Sequence, residues 1–175
     1  VVSDNYLGAQ SAVKHLIGLG HTRIAFLSNP QTDGYRDRQR GYIELMREHG
    51  LEPQVIPSAY SRSKASRDIG PALDSPDRPT AIFAHNDQAA MGVLDAIASR
   101  GLSVPDDVSV IGYDNSAVSQ APGTSLTTVD IHGRELGRAA AEIALRRLAD
   151  PDMEPAVSLN LPSLVVRRTT GPVQS

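Results

Sequence analysis

Thr80-Ala81-Ile82-Phe83-Ala84-His85-Asn86-Asp87, a helical stretch from Asp87 to Ser99, a stop at Gly101 and the run Val108-Ser109-Val110-Ile111-Gly112-Tyr113 together decide the fold. Thr80–Ala84 and Val108–Tyr113 are short and almost wholly apolar, as a strand covered on both faces of a parallel sheet must be. The segment between them has helical length, and glycine suits the residue just past a helix end. Strand, helix, strand in that order is a βαβ unit, whose two strands run parallel.

The same rhythm extends outward. Upstream, Ser3 or Asp4 is placed to cap a helix to about Leu19, with Ala9, Val13, Leu16 and Ile17 at helical spacing and Gly18 or Gly20 closing it. Arg23–Ser28 follows as a strand, Tyr35–His49 as a helix ending at Gly50, Gln54–Pro57 as a strand, and about Ser63–Asp74 as a helix. Beyond Tyr113 the rhythm changes. Asp114–Ser125 is expected to be a polar loop and Leu126–Val129 a strand. Arg134–Ala149 follows as an amphipathic helix with Leu136, Ala140, Ile143, Ala144 and Leu148 along one stripe. Pro151 and Pro155 bracket a linker, Val157–Leu161 and Leu164–Arg168 close the set as strands, and Thr169–Ser175 is expected to be loose. The expected class is α/β: a doubly wound parallel sheet with helices on both faces.

Composition narrows the function. A chain of 175 residues suits one domain or two small lobes sharing a core. With no cysteine, disulfides, thiolate chemistry and cysteine-ligated zinc are excluded. No apolar run approaches the ~18 residues that cross a bilayer. The first residues have neither the basic nor the apolar region of a signal peptide, so a cytoplasmic protein with no membrane partner is expected. Net charge is −3 and the seventeen Lys and Arg are scattered, so this chain by itself is not expected to bind nucleic acid.

Enzyme signatures fail. Gly18-Leu19-Gly20 would need glycine at 23 for a dinucleotide fingerprint, where Arg23 stands, and no nucleophile elbow or phosphate-binding loop exists. The five histidines (His15, His21, His49, His85 and His132) lack metal-ligand spacing. No catalytic residue, metal or cofactor is expected.

A doubly wound sheet binds ligands beyond the carboxyl ends of its strands. Arg36 and Arg38 follow the first long strand, Tyr60 the second, Asn86 and Asp87 the third, and Asp114 and Asn115 the fourth. A carboxylate and an amide bridge hydroxyls, a guanidinium donates a planar fork, and a phenol ring covers an apolar sugar face. Arg38, Tyr60, Asn86 and Asp114 therefore suit a polar, carbohydrate-like ligand. Each also has a plainer reading: Asn86 as a helix cap, Asp114-Asn115 as a turn, Arg38 as a solvated charge and Tyr60 as a core edge.

His15-Leu16-Ile17-Gly18-Leu19-Gly20-His21-Thr22-Arg23-Ile24-Ala25 resembles a segment of lactose-repressor-type (LacI/GalR) regulators. So do Arg38-Gln39-Arg40-Gly41-Tyr42, Pro79–Asp87, Val104–Asn115, Leu126-Thr127-Thr128-Val129 and Leu164–Gly171, in family order across nearly the whole chain. The resemblance implies a type I periplasmic-binding-protein-like architecture of two α/β lobes with effector between them, and an N-terminal helix-turn-helix head. Arg38, Asn86 and Asp114 match positions that usually contact effector, and Tyr60 a place where some relatives put a stacking aromatic. Ile131 replaces a commonly polar position, and Gly133 leaves a nearby one without a side chain.

The resemblance further implies a C-terminal fragment of a cytoplasmic regulator, a repressor, whose operator DNA is met only through the missing head. On that reading residues 1–129 are the effector-binding lobe and 130–155 a crossover and helix of the missing first lobe. Residues 156–175 would return strands to the second lobe and end in a tail. Family dimers pair through the second lobe, which makes Met91 and Leu94 candidate homodimer contacts, though ordinary core positions in their helix would explain them too. The rival readings are a periplasmic sugar receptor of the same fold, which an upstream signal peptide would favour, and an enzyme on a flavodoxin-like sheet, which turnover in a broad screen would favour.

Overall fold

A computed structural model describes every residue but Pro30, Thr32, Ala156 and Ser175, with Asp33 as backbone. In chain order the elements are β1 (Val2–Ser3), α1 (Asn5–Gly18), β2 (Ile24–Ser28), α2 (Asp33–Glu48), β3 (Gln54–Pro57), α3 (Arg62–Leu73) and β4 (Ala81–Ala84). There follow α4 (Asp87–Ala98), β5 (Ser109–Asp114), α5 (Ala117–Gln120), β6 (Thr127–Asp130), α6 (Gly133–Ala149), β7 (Leu159–Asn160) and β8 (Ser163–Val165).

Six strands form one sheet in the order β3-β2-β4-β5-β6-β8, parallel throughout except for the antiparallel edge strand β8. From β2 the chain steps one way to β3, then doubles back past β2 to β4 and onward. Because such crossovers are right-handed, the reversal puts α2 on one face and α3 and α4 on the other. The strands serve both faces by alternation. Phe26 of β2 packs with Tyr42, Leu45 and Leu16 under α1 and α2, while its neighbours Ala25 and Leu27 pack with Ala65, Ile69 and Val93 under α3 and α4. That double burial is why β2, β4 and β5 read as continuous apolar runs.

The motif Gly41-Tyr42 explains itself here. A Cβ at Gly41 would lie 2.6 Å from the Tyr6 carbonyl oxygen, so glycine lets α1 and α2 close on each other. The fully buried Tyr42 phenol donates to the Ile24 carbonyl oxygen at 2.7 Å and accepts from the Gln54 N–H at 2.7 Å, tying α2 to β2 and β3.

Three features depart from the sequence expectations. The segment 114–125, expected to be loop, contains the short helix α5. The strand expected at Val157–Leu161 shrinks to β7 and pairs with β1 in a separate two-stranded sheet. The third is the tail, expected to be loose, of which Ser175 lies outside the described residues. Instead it is stitched across the amino edge of the sheet, at sites no local pattern announces. Thr169 is buried, and its hydroxyl donates to the Val110 carbonyl oxygen at 2.7 Å and accepts from the Thr127 N–H at 2.9 Å. His21 bridges Thr80 and the Gly171 carbonyl oxygen, each at 3.0 Å, and the Val173 N–H donates to the Leu19 carbonyl oxygen at 3.1 Å.

Replacing Thr169 by valine keeps the volume and leaves two buried backbone groups without partners. Such groups cost about 1–3 kcal/mol each. Urea unfolding of T169V should show a loss of at least about 1 kcal/mol; a melt unchanged from the parent would mean that the tail does not hold the sheet edge.

Candidate functional site

The strand order reverses between β2 and β4, the place where a doubly wound sheet binds its ligand, and Arg38, His85 and Asn86 stand at the carboxyl ends of these strands. Arg38, 7% exposed, enters from α2. Its Nε donates to Asn5 Oδ1 at 2.8 Å, its Nη1 donates to the His85 carbonyl oxygen, and its Nη2 lies 3.5 Å from Asp114 Oδ1. The guanidinium carbon sits 3.6 Å from the Tyr113 ring centroid and 4.8 Å from that of Tyr35. A buried cation needs partners on every side, and this one has three oxygens and two ring faces.

Asp114 ends β5 with φ 106°, a left-handed conformation that is uncommon for a residue with a side chain, and Asn115 follows at φ 51°. The turn is braced by Asp87, fully buried at the start of α4. Its carboxylate accepts from the Ser116 N–H at 2.7 Å, the Ser116 hydroxyl at 2.8 Å and the Thr128 hydroxyl at 2.6 Å. Gly112 makes room for it, since a Cβ there would lie 2.4 Å from Asp87 Oδ1.

Burial pushes the Asp114 carboxyl up to about 6, with Arg38 pulling down against it and Asp87 adding to the rise. The charged form is therefore disfavoured in the fold. Its cost is fully present above about pH 6 and is relieved as pH falls toward the ordinary 3.8. Burial likewise lowers His85 to about 4, so the imidazole is neutral at neutral pH. Its Nδ1 then donates to the Leu27 carbonyl oxygen at 3.1 Å, which leaves Nε2 as an acceptor.

That Nε2 has no partner, and it has company. Asn86 Nδ2 and Asn29 Oδ1 are also buried without a hydrogen-bond partner among the described residues, as are Ser3 Oγ and Tyr113 Oη elsewhere. Burial pushes the Tyr35 phenol up, with Arg38 and then the nearby Asn86 amide pulling against the rise, yet the amide and the phenol form no hydrogen bond of good geometry. Native structures leave few buried polar atoms unpaired, and those of His85, Asn86 and Asn29 stand at the ends of β2 and β4. Tyr60, 59% exposed, closes the outer side, its ring centroid 6.4 Å from that of His85, with Tyr35 edge-on to the same imidazole at 5.3 Å.

Of the four residues singled out in the sequence, Arg38 and Asp114 meet directly, and Tyr60 and Asn86 flank His85. Asn86 also caps α4, its Oδ1 accepting the Ala89 N–H at 2.8 Å, so its plainer role is filled and its amide nitrogen remains over. Arg36 instead faces outward, on a hollow shared with Arg40 and Arg47. Strand-end reasoning misses Asn5, Asn29, Tyr35 and Tyr113. Tyr35 is within its reach, because it precedes Arg38 by three residues and so shares its helix face.

A family model described as "Periplasmic binding protein-like domain" matches residues 13–170. The chain is 35% identical to the HTH-type transcriptional regulator DegA of Bacillus subtilis, over all of this chain and 53% of that protein. It superimposes on a LacI transcriptional regulator from a Rhodococcus species with TM-score 0.93 at 35% identity, covering 99% of this chain and 65% of that one. This chain belongs to the LacI family. A LacI-family regulator from Enterococcus faecium, solved with bound ribose, matches at TM-score 0.92 and 27% identity over 98% of this chain and 65% of that one. The chain thus spans about half the length of the curated LacI-family relatives it matches.

Arg38 lowers the Asp114 pKa, so R38M should raise it above about 6. Titration of the Asp114 carboxyl carbon by NMR reads this directly. A midpoint that stays put or falls in R38M would show that the two side chains are not electrostatically coupled.

Proposed function

We propose that this chain is the effector-binding half of a DNA-binding transcription regulator, a repressor, and that its effector is an uncharged, hydroxyl-rich molecule of sugar type. The observation that carries the reading is the trio of unpaired buried atoms at the carboxyl ends of β2 and β4: one donor, Asn86 Nδ2, and two acceptors, His85 Nε2 and Asn29 Oδ1. Hydroxyls both donate and accept, so a polyol satisfies such a mixed set. The charge of Arg38 is already met by Asp114, and the site asks for no anion. Tyr60 supplies an exposed ring to cover an apolar sugar face. The ribose bound by the Enterococcus faecium relative supports the ligand class.

In this reading residues 1–129 carry the site as the second lobe, 130–155 cross to the first lobe and 156–175 return. The exposure of α6, which buries no residue, supports that division. Effector held between lobes would bias their closure, and closure the spacing of DNA-reading heads carried elsewhere in the protein. Titration calorimetry of the full-length protein against neutral sugars, ribose included, is the test. D114N should weaken the best ligand at least tenfold, about 1.4 kcal/mol. Binding confined to phosphorylated or carboxylated ligands, or unaffected by D114N, would overturn the reading.

We also propose that the protein is a homodimer paired through α4. Met91 and Leu94 are half-buried and line a groove of about 590 Å³ with Leu102, Val104 and Pro105, a shape that supports docking of a second copy. Sedimentation of the full-length protein at micromolar concentration should give a dimer, and L94D should shift it to monomer. A wild-type monomer would refute this pairing.

A further inference from the structure

Asn115 does something its position in a turn does not require. The side chain joins the two passages of chain by which residues 133–162 leave and rejoin the main sheet. Its Nδ2 donates to Asp130 Oδ2 at 2.8 Å, at the last residue of β6. Its Oδ1 accepts from Arg167 Nη2 at 2.7 Å, just past β8. Each passage is anchored in turn. Asp130 Oδ1 accepts the His132 N–H at 2.7 Å, and His132, at φ 51°, is the left-handed residue on which the chain turns into α6. Arg167 donates through Nη1 to the Leu126 carbonyl oxygen at 2.6 Å and through its backbone N–H to the Thr127 hydroxyl at 2.9 Å.

Beyond this bridge the return passage is held by the pairing of β7 with β1, where the Val2 N–H donates to the Ser158 carbonyl oxygen at 2.9 Å and the Asp4 N–H to that of Asn160 at 3.0 Å. Residue Asn160 reaches the Ile131 carbonyl oxygen at 2.8 Å and Ser163 meets His132 Nε2 at 3.2 Å, while α6 itself buries nothing. Elements with few buried contacts open at low cost, and hinges are a few loop or element-terminal residues that absorb the backbone change.

We propose that Asn115 is the positioning residue that couples the effector-facing turn to this hinge. The proposal rests on the reading above that Asp114 faces the effector. A shift of the strained pair 114–115 pulls the amide on Asp130 and Arg167 together, and through Asp130 the entry to α6. The amide is chemically required, because the bridge needs a donor toward Asp130 and an acceptor toward Arg167 on one short side chain. Asparagine also tolerates the left-handed backbone.

Substitution N115D keeps shape and backbone preference, and Arg167 still has its acceptor. It turns the donor to Asp130 into a second carboxylate. The exchange N115D/D130N restores a donor–acceptor pair with its direction reversed and the net charge of the parent. The oxygen of the amide introduced at position 130 still accepts the His132 N–H, while its nitrogen donates to the carboxylate introduced at position 115.

Hydrogen–deuterium exchange on the full-length protein without ligand reads the hinge directly, so a failed sugar titration leaves this test intact. Amides 131–134 should exchange about tenfold faster in N115D and return to within about threefold of the parent in N115D/D130N, with the β2 and β4 amides unchanged throughout. Should N115D not fold, D130N serves, since its single oxygen cannot serve both donors and the same amides should speed up. Unchanged exchange at 131–134, equal acceleration in β2 and β4, or no recovery in the double variant would each overturn the proposal.

Discussion

The guanidinium of Arg38 is a charge taken out of water, and the carboxyl edge of the sheet is arranged to make that tolerable. Its partners come from the start of α1 (Asn5), the end of β4 (the His85 carbonyl), the end of β5 (Asp114) and the rings of Tyr113 and Tyr35. Breaking a buried pair of this kind by removing one member costs about 3–5 kcal/mol, because the other is left uncompensated. Arg38 thereby fixes where β4 and β5 end and α1 begins relative to one another. On the proposed reading, ligand specificity is left to the polar atoms that Arg38 does not satisfy.

The constraint propagates. To meet Arg38 the Asp114 carboxylate leaves β5 on a left-handed backbone, a conformation costing of order 1–3 kcal/mol that persists only where neighbours over-determine it. Asp87 supplies that, holding Ser116 and Thr128 with three hydrogen bonds from a buried position that itself raises its pKa. Asp87 fits because residue 112 is glycine. A single glycine in a strand, an acid at a helix start and a strained aspartate thus form one unit, and each looks gratuitous without the others.

The sheet is legible in the sequence because its strands are covered on both faces, which writes apolar runs such as Ile24–Ser28 and Ala81–Ala84 into the chain. The rule that ligands gather at strand ends then leads to Arg38 and Asp114, which meet at 3.5 Å. What stays hidden depends on distances the chain does not encode locally. Asn5 reaches Arg38 because Gly41 lets α1 and α2 approach, a fact about two helices rather than one. The tail looks loose because its partners are the backbones of β5 and β6 and the side chain of His21, which give no pattern to Thr169–Val173. Helix α6 is legible as amphipathic, but periodicity says that a face is apolar and never what covers it.

Leu148 is 79% exposed, and Leu145, Val157, Leu159 and Leu161 are exposed on the same excursion between β6 and β8. Apolar area in water forfeits about 25 cal/mol per Å². On the proposed reading, the cover for these side chains and the second wall of the site come from the same missing lobe. Whatever brings that lobe down on α6 then also covers the carboxyl ends of β2 and β4, where the buried, unpaired atoms of His85, Asn86 and Asn29 lie. Ligand binding and lobe packing would draw on one conformational equilibrium. A ligand that pairs those atoms only in the closed form shifts that equilibrium by its differential affinity alone. Buried polar atoms left unpaired cost stability, and on the proposed reading the relief of that cost would favour closure around a matching ligand.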